Sequence, residues 1–549
     1  MTWTLTLDGE SYETARERFA WDFPDGYNLA ADLVRKHDPD DPALYQAYPD
    51  GRRETYTFGD LDTLSDRLAN GLEERGIESG NRVAVVLPQR PENLLTHLAC
   101  WKLGAISLPL SVLFGTDSMR YRLDDSGAQV VVTDPAVTET ALQVAPDCDS
   151  LEHVVEATPG AVGDSGKPTD GALAFADLLG SEGFDPADTD ADTPAVILYT
   201  SGSTGPPKGV LHSHGVWVGH CPAFSMYFEG DLDGVYWTPA DWAWIGALGD
   251  LVFPALHYGQ PVVGYPMEGF GPEKAFALMA EFDVTGAFVP PTAIRMLMGV
   301  ENPSKYDLAL EAVCSGGEPL TPEILDWADE ELAGVAVNEL YGQTEANLLV
   351  TNRQGWFPAR AGSMGKPAPG HEVAIIDPET GEKRERGEVG EIAVKRSDDP
   401  VVFREYWNEP EKTVDATVDD WHLTGDLGSR DEEGYLWFKS RDDDVIITSG
   451  YRVGPGEVER AILDHDGVEQ VGVVGVPDET RGEVIKAFVQ PVADDGSDSL
   501  GEEIRDLVRE RLAKYEYPRD IEFVESLPQT TTGKIQRRKL REREADGDE

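Results

Sequence analysis

The alternation of strand and helix patterns over residues 56–134 limits the fold of this chain more than any other feature. Leucines spaced by three and four residues predict an amphipathic helix between residues 61 and 72, and short apolar runs follow it. Those runs have the length of buried strands and lie at residues 83–87, 106–110 and 130–132. Strand–helix–strand order is typical of a largely parallel sheet covered by helices, so the sequence predicts an α/β fold.

The same alternation continues beyond residue 190 and then changes twice. Apolar runs that predict further strands lie at residues 195–199, 287–289, 312–314 and 335–340. Between residues 370 and 438 the runs shorten, which predicts an antiparallel or barrel-like subdomain. The pattern from residue 441 to 549 is that of a compact α+β unit. We therefore predict a large domain over residues 1–440 and a small one over 441–549, and interpret the Gly-, Pro- and Asp-rich stretch 156–194 as a surface connection.

Charge is the strongest signal in the composition. The chain has 46 Lys and Arg against 102 Asp and Glu, which gives a formal net charge of −56. Salt at about 1 M confines the resulting repulsion to about 3 Å, so the composition predicts a halophilic protein of a saline cytoplasm. A disordered acidic chain is disfavoured by 40% hydrophobic residues and 12 Trp. The same charge argues against nucleic acid or an anionic membrane as a partner.

The four cysteines form neither a CxxC pair nor a Cys/His cluster, so we expect neither a zinc site nor a disulfide framework. The first residues lack a basic segment followed by an apolar one, and no apolar run is long enough to cross a bilayer. We therefore expect a soluble cytoplasmic protein. Its oligomeric state stays open, with a homo-oligomer as one alternative.

Residues 200–210, Thr-Ser-Gly-Ser-Thr-Gly-Pro-Pro-Lys-Gly-Val, follow an apolar strand and have the composition of a phosphate-binding loop. Glycines let the backbone wrap a phosphate, hydroxyls donate to its oxygens and lysine supplies positive charge. A Walker A loop ends in Gly-Lys-Ser/Thr, whereas Lys208 is followed by Gly209. The predicted phosphate contacts are Thr200, Ser201, Gly202, Ser203, Thr204, Gly205 and Lys208.

Five further segments follow this loop in a fixed order. They are Ser-Gly-Gly-Glu-Pro-Leu at 315–320, Glu-Leu-Tyr-Gly-Gln-Thr-Glu at 339–345, Thr-Gly-Asp at 424–426, Ser-Arg-Asp-Asp-Asp-Val-Ile-Ile-Thr-Ser-Gly-Tyr-Arg at 440–452 and Pro-Gln-Thr-Thr-Thr-Gly-Lys at 528–534. Together with the loop they resemble the adenylate-forming superfamily of acyl-CoA synthetases, luciferases and peptide-synthetase adenylation domains. The resemblance covers residues 28–545, and medium-chain acyl-CoA synthetases are the members on which the site residues below are matched.

The resemblance implies that a carboxylate attacks the α-phosphate of ATP, giving acyl-AMP and pyrophosphate. Two anions must meet in that step, so cations are needed to neutralise them. By resemblance, Lys534 reaches both anions, Thr344 donates to the α-phosphate and Glu345 holds Mg²⁺, a hard cation that prefers oxygen. Asp426 and Arg441 resemble the residues that hold the ribose hydroxyls. Other nucleotide contacts are predicted at Gly317, Glu318, Pro319, Glu339, Leu340, Tyr341, Gly342 and Gln343.

The second half-reaction transfers the acyl group to the thiol of CoA. The resemblance implies that the small domain rotates about Asp443, withdraws Lys534 and places Ser449, Gly450 and Tyr451 beside the pantetheine arm. A side chain at position 450 would crowd the thiol tunnel. The positions that match contacts to the nucleotide end of CoA are Arg481, Arg509, Tyr517 and Arg519, and Arg452 is a further predicted cofactor contact.

Two positions bear on the acid. Trp244 resembles the residue that lines the acyl pocket, and Gly342 stands where acetate-specific relatives carry a bulky Trp. Glycine opens space, so propionate to medium-chain, branched or aromatic acids are expected to fit better than acetate. Ala346 and Asn347 depart from the Thr-Gly of many relatives and leave the chain length open.

The predicted function is therefore acyl-CoA ligation through an acyl-adenylate. The alternatives are an acetate-specific synthetase, an aryl-CoA ligase, an adenylation domain that feeds a carrier protein, a luciferase-like oxidase and a non-catalytic nucleotide-binding regulator. The Ser-Gly-Tyr segment at 449–451 favours CoA over a carrier protein. A regulator would be expected to lose Lys534 or Glu345, and both are present.

Overall fold

Two large sheets in a computed structural model of the chain confirm the α/β fold. The structure describes residues 3–547, except 159, 161, 164–165, 201–205, 268, 318–319, 321, 333, 442–445, 479, 493–497, 529–534 and 536. Nine strands from these residues form the first sheet, in the spatial order Lys366–Pro367, Ala346–Thr351, Ala336–Gln343, Ala312–Gly316, Val284–Phe288, Val235–Trp237, Val262–Gly264, Pro42–Ala47 and Arg53–Thr57. The centre of this sheet is parallel and its edges are antiparallel.

The second sheet has eight described strands and is parallel except at one edge. Their spatial order is Glu405–Tyr406, Lys208–Ser213, Pro194–Thr200, Ile106–Pro109, Arg82–Val86, Val130–Thr133, His153–Glu156 and Leu173–Ala174. The three strands predicted between residues 83 and 132 are all present and pair in parallel. Their almost wholly apolar side chains are buried, as expected for a sheet covered on both faces.

A third, antiparallel sheet follows, as the shorter apolar runs predicted. Its strands within the described residues are Val373–Ile376, Val389–Lys395, Trp421–Arg430, Thr417–Val418 and Leu436–Arg441. The fourth sheet belongs to the C-terminal unit, and its described strands are Tyr451–Val453, Ile446–Thr448, Gly482–Pro491, Val468–Asp478 and Asp520–Phe523. The sheet to which the chain belongs therefore changes between residues 441 and 446, and the domain boundary placed there stays a prediction.

Helices cover the sheets and fill the space between them. The α-helices are Tyr12–Arg18, Phe58–Glu73, Pro91–Leu103, Thr116–Ser126, Pro135–Val144, Val216–Gly219, Cys221–Tyr227, Ile245–Ala247, Phe253–His257, Pro272–Glu281, Pro291–Met298, Pro322–Glu331, Pro410–Asp415, Pro455–Leu463, Asp498–Arg511 and Arg537–Gly547. Short 3₁₀ or π turns occur at Ala31–Arg35, Ala145–Asp147, Phe175–Leu178, Leu248–Val252 and Pro303–Lys305. Within the described ranges, no helix is both long and apolar enough to cross a membrane.

Helix Pro91–Leu103 shows how the core joins the two large sheets. All of its residues are buried, and its apolar side chains share one core with strands of both sheets. Lys102, on this helix, is buried because Asp62 and Asp66 of helix Phe58–Glu73 accept hydrogen bonds from its Nζ at 2.6 and 2.5 Å. A buried charge is tolerated when it is paired in this way.

The prediction for residues 156–194 was wrong in part. Strand Leu173–Ala174 adds to the edge of the second sheet, and the buried side chains of Phe175 and Leu178 join the core. The sequence did not predict this short segment because its few apolar residues, surrounded by many Gly, Pro and Asp, do not form a periodic pattern.

Candidate active site

A cavity of about 600 Å³ opens where the C-terminal unit meets the large sheets. Phe288, Gly316 and Leu340 line it, and each lies at or near the carboxyl end of a parallel strand of the first sheet. Open α/β sheets bind ligands at this edge because loops from several strands meet there. Ser449 and Arg481 of the C-terminal unit complete the wall.

The predicted phosphate loop connects two antiparallel strands of the second sheet. Thr200 pairs with Lys208 across the base of this connection, and Thr200 lines the cavity. A Walker A loop joins a strand to a helix, so the hairpin agrees with the different sequence of this loop. Residues 201–205, which carry the other five predicted contacts, lie outside the described residues.

Glu345, the predicted Mg²⁺ ligand, is buried with its carboxylate held by a tyrosine. Tyr406 donates its hydroxyl to Glu345 Oε1 at 2.7 Å, and Lys208 Nζ lies 4.8 Å from the centre of the Tyr406 ring. This tyrosine joins the phosphate-loop lysine to the acidic residue. Sequence reasoning missed Tyr406, because it lies 61 residues from Glu345 in a polar segment without periodicity.

Thr344, the predicted α-phosphate donor, lines the cavity beside a neutral imidazole. The ring nitrogen Nε2 of His212 lies 2.7 Å from the Thr344 carbonyl oxygen. Burial lowers the pKa of His212 to about 4, so Nε2 carries the hydrogen that the carbonyl accepts when the ring is neutral. This contact fixes the backbone at residue 344, and the backbone in turn sets the position of the Thr344 Cβ.

Asp426 and Tyr341, both predicted nucleotide contacts, meet at the cavity wall. The Tyr341 hydroxyl donates to Asp426 Oδ2 at 2.8 Å, and Gln343 donates from Nε2 to the Thr424 carbonyl at 3.1 Å. Strand pairing also places Arg441 opposite Asp426. The segments at 339–345, 424–426 and 440–452 thus converge, although about 80 residues separate the first two.

The predicted adenine-binding region is described in part. Gly317 lines the cavity with a φ of +92°, a backbone conformation that favours glycine, and Glu318 and Pro319 lie outside the described residues. Glu339 also lines the cavity and accepts a hydrogen bond from the Leu320 backbone N–H at 3.3 Å. Burial raises the pKa of Glu339 to about 8, so it holds a proton at neutral pH.

The predicted pantetheine-binding residues lie at the cavity. The Ser449 backbone N–H donates to the Arg481 carbonyl at 2.8 Å, and the Arg481 guanidinium donates to Ser449 Oγ at 3.0 Å. Gly450 has a φ of +79°, and a Cβ there would meet Pro290 Cβ at an ordinary 3.7 Å. The positive φ is therefore a second reason for glycine at position 450, and crowding of the thiol tunnel stays a prediction.

Aromatic rings connect the C-terminal unit to Trp244, the tryptophan predicted to line the acyl pocket. Tyr451 stacks on Tyr515 with ring centres 4.0 Å apart, and Trp244 meets Tyr451 edge-on at 5.7 Å. The Gly115 N–H donates to the Leu512 carbonyl, which fixes the same unit to helix Thr116–Ser126. These contacts hold the face that carries residues 449–451 in the cavity.

The residues matched to the nucleotide end of CoA divide into two groups. Arg509 and Arg519 both lie over the ring of Tyr517, at 4.1 and 4.9 Å, and none of the three lines the cavity. Arg481 lies apart from them, at the cavity. The Arg441 and Arg452 side chains, Asp443 and Lys534 lie outside the described residues.

The end of the cavity where the acyl group is predicted to bind has polar wall residues that the sequence did not predict in full. Gly342 lines it, and a Cβ there would collide with Asn347 Oδ1 and approach the Ala346 carbonyl oxygen to 3.1 Å. Of the two departures noted in the sequence, Asn347 lies in the wall whereas Ala346 packs in a separate core. Asp250 is a further wall residue that sequence reasoning missed. A single acidic residue within the apolar run 245–256 could have indicated it.

Comparison with known proteins agrees with this geometry. Residues 32–407 match the family described as AMP-binding enzyme, and residues 457–534 match the AMP-binding enzyme C-terminal domain. The chain is 36% identical to "Acyl-coenzyme A synthetase ACSM4, mitochondrial" of Rattus norvegicus, with 98% of this chain and 94% of that protein covered. It is also 36% identical to "Acetyl-coenzyme A synthetase" of Bacillus subtilis, with 91% and 86% covered. A crystal structure of Brucella canis acyl-CoA synthetase superposes with a TM-score of 0.72 at 31% identity and covers 98% of this chain and 100% of that one.

The chain therefore belongs to the AMP-binding enzyme family. Within it, the chain is an AMP-forming acyl-CoA synthetase, a ligase whose substrates are a carboxylic acid, ATP and CoA. The predicted fold, function and enzyme class are confirmed. The roles given to individual residues stay predictions.

Proposed function

We propose that this synthetase activates carboxylic acids larger than acetate, in the range from propionate to medium-chain, branched or aromatic acids. The supporting observation is the volume of the cavity, about 600 Å³, which extends to Gly342 although Asn347 Oδ1 occupies the place of a Cβ at that position. Trp244 and Phe288 supply apolar surface there. Burial of each additional methylene against such surface is worth about 0.8 kcal/mol, so longer acids gain affinity until the wall is reached.

In the adenylation step the cavity residues would hold ATP with its α-phosphate facing the acid. Glu345 is suited to bind Mg²⁺. Proteins commonly bind this cation through one or two carboxylates together with the substrate's phosphates, and the carboxylate of Glu345 is buried beside the phosphate loop. The cation would neutralise phosphate charge. Thr344 and Lys208 donate to phosphate oxygens, Asp426 accepts from the ribose hydroxyls, and Lys534 supplies the charge that lets the carboxylate approach.

In the thioester step Ser449, Gly450 and Tyr451 would line the path of the CoA thiol to the acyl-adenylate. Their position at the cavity supports this role. Arg481 lines the cavity and donates to Ser449 Oγ, and the cluster of Arg509, Tyr517 and Arg519 offers two guanidinium groups for the nucleotide end of CoA. Arginines of this kind bind phosphate through paired N–H donors.

The proposal is tested with a panel of acids supplied with ATP, CoA and Mg²⁺, with pyrophosphate and acyl-CoA as readouts. Acetate, propionate, butyrate, hexanoate, isobutyrate and benzoate cover the alternatives. A maximum of kcat/KM beyond acetate supports the proposal. A maximum at acetate would indicate an acetate-specific synthetase, one at benzoate alone an aryl-CoA ligase, and no turnover of any acid a non-catalytic regulator.

Gly342→Trp is expected to shorten the accepted acid toward acetate. The indole would fill the space of the third and later carbons, and loss of three or four methylene contacts costs about 2–3 kcal/mol, or roughly a hundredfold in kcat/KM. Acetate makes none of those contacts and should be spared. The measurement is kcat/KM for acetate, butyrate and hexanoate at high salt.

Gly342→Ala is the matched control for the tryptophan variant. Its Cβ displaces the Asn347 side chain as the tryptophan would, but it leaves most of the pocket open. If alanine and tryptophan reduce hexanoate turnover equally, displacement of Asn347 is responsible and the pocket volume is not. An unchanged acid profile in Gly342→Trp would remove residue 342 from the specificity argument.

We also propose that the enzyme works in the cytoplasm of a halophile, and expect its stability and activity to require high salt. The net charge of −56 supports this, as do cations surrounded by acids: Lys486 Nζ lies within 3.2 Å of carboxylate oxygens of Asp520, Glu522 and Glu544. Activity at 0.1 M KCl is expected to be at least about tenfold lower than at 3 M, because self-repulsion is then poorly screened.

The salt dependence is measured as the thermal midpoint and as kcat/KM over a KCl series. Trehalose at low ionic strength is the control, because it stabilises compact states without screening charge. A protein fully folded and active at 0.1 M KCl would contradict the proposal. Sedimentation in the same series would report whether a homo-oligomer forms.

A further inference from the structure

Asp250 places a buried carboxyl group in the wall of the acyl cavity. It lies in the π turn Leu248–Val252, a geometry that is frequent at functional sites, shortly after Trp244. Only 2% of Asp250 is exposed, yet the residue lines the cavity together with Phe288 and Asn347. None of the catalytic roles proposed above uses this group.

The two carboxyl oxygens of Asp250 have different surroundings. Oδ1 accepts a hydrogen bond from Asn347 Nδ2 at 2.6 Å and lies 3.2 Å from His220 Nδ1. Oδ2 has no hydrogen bond to any described residue, and it lies 3.6 Å from the place that a Cβ on Gly246 would occupy, also in the cavity wall. Oδ2 is thus available to form a hydrogen bond with a molecule in the cavity.

No lysine or arginine of the described chain pairs with this carboxyl group. Burial lowers the pKa of His220 to about 3, so the imidazole is neutral, and burial raises the pKa of Asp250 well above its usual range. A protonated Oδ2 donates a hydrogen bond, whereas an ionised one accepts. An apolar acyl chain would leave Oδ2 without a partner, at a cost that a polar substrate group avoids.

We propose that Asp250 is a specificity-determining residue that selects carboxylic acids with a hydroxyl group on the acyl chain or ring, through a hydrogen bond to Oδ2. A hydroxyl group fits because it accepts from a protonated carboxyl group and donates to an ionised one. Asn347 positions Oδ1 and so directs Oδ2 into the cavity. This inference rests on the proposed function and narrows its substrate class from acids larger than acetate to their hydroxylated members.

Matched pairs of acids test the inference in the wild-type enzyme. The pairs are butyrate and 3-hydroxybutyrate, hexanoate and 6-hydroxyhexanoate, and benzoate with its 3- and 4-hydroxy derivatives. For at least one pair kcat/KM is expected to be tenfold or more higher for the hydroxylated acid, since a site built for a hydroxyl group discriminates against analogues that lack it. If every alkyl or phenyl acid equals or exceeds its hydroxylated partner, the inference is wrong while the proposed function stands.

Two variants test whether the carboxyl group of Asp250 causes the preference for hydroxylated acids. Asp250→Leu is expected to lose the preference for the hydroxylated acid and to gain turnover of its apolar partner, whereas Asp250→Asn, which keeps a hydrogen-bonding group, retains part of the preference. Glu54→Gln is the matched control, because Glu54 accepts hydrogen bonds from Tyr48 and Tyr56 away from the cavity. An unchanged preference in Asp250→Leu overturns the inference.

The panel also separates the inference from its competitors. An amino analogue, 6-aminohexanoate, tests for an ionised Asp250 that selects a cation, and its preference over 6-hydroxyhexanoate would overturn the hydroxyl assignment. Absence of pyrophosphate release with every acid would defeat the proposed function itself. If Asp250→Leu does not fold, the wild-type pairs and Asp250→Asn still decide.

Discussion

Replacing Lys534 with alanine is expected to abolish acyl-AMP formation and to leave acyl-CoA formation from supplied acyl-AMP largely intact. The physical reason is charge: the first step brings a carboxylate against the α-phosphate, whereas in the second a thiol meets an acyl group already activated. Loss of one preorganised hydrogen-bond donor to an oxyanion costs about a hundred- to a thousandfold in kcat, and loss of a full charge between two anions is expected to cost more. Pyrophosphate release measures the first step, and thioester formation from synthetic acyl-AMP measures the second.

The two steps are expected to use different faces of the C-terminal unit. Residues 449–451 line the cavity, whereas Lys534 lies outside the described residues. Lys539→Ala is the control, since it removes an exposed lysine from the adjacent helix Arg537–Gly547. Equal losses in both half-reactions of Lys534→Ala would contradict the two-arrangement mechanism.

Asp443→Pro is expected to leave adenylation nearly intact and to block thioester formation. Strand Leu436–Arg441 belongs to the antiparallel sheet and strand Ile446–Thr448 to the C-terminal unit, so any rotation must be absorbed between them. Proline fixes φ and also disfavours helical geometry in the residue before it, so the hinge loses most of its freedom. The same two half-reaction assays report the result.

Asp443→Ala separates hinge rigidity from loss of the side chain, because alanine keeps the backbone freedom of aspartate. Normal thioester formation in the proline variant would reject Asp443 as the hinge and leave Asp442 or Asp444 as candidates. We expect proline to hold the enzyme in the arrangement used for adenylation. Loss of adenylation alone would mean that it instead holds the arrangement with residues 449–451 in the cavity.

Much of the fold follows from local pattern. The parallel strands near residues 83, 106 and 130 were predicted correctly because burial on two faces produces continuous apolar runs. The change to antiparallel strands after residue 370 was predicted correctly from the shorter apolar runs. The pairing of strand Pro42–Ala47 with Val262–Gly264 was not predicted, since no local pattern encodes a contact across more than 200 residues. The short strand Leu173–Ala174 was missed for lack of periodicity.

The sequence alone determined the chemistry of this protein: the glycine and hydroxyl loop at 200–210, the acidic and basic residues of the later segments and the family to which they belong are local features of the chain. Only the tertiary structure decided which side chains meet around the predicted site. Asp250 and Asn347 are 97 residues apart and meet at 2.6 Å, and Tyr406 reaches Glu345 across 61 residues. The physical reason is that each family segment carries its characteristic residue types within a short stretch of chain, whereas the wall of a pocket is built by side chains that meet only when distant elements pack.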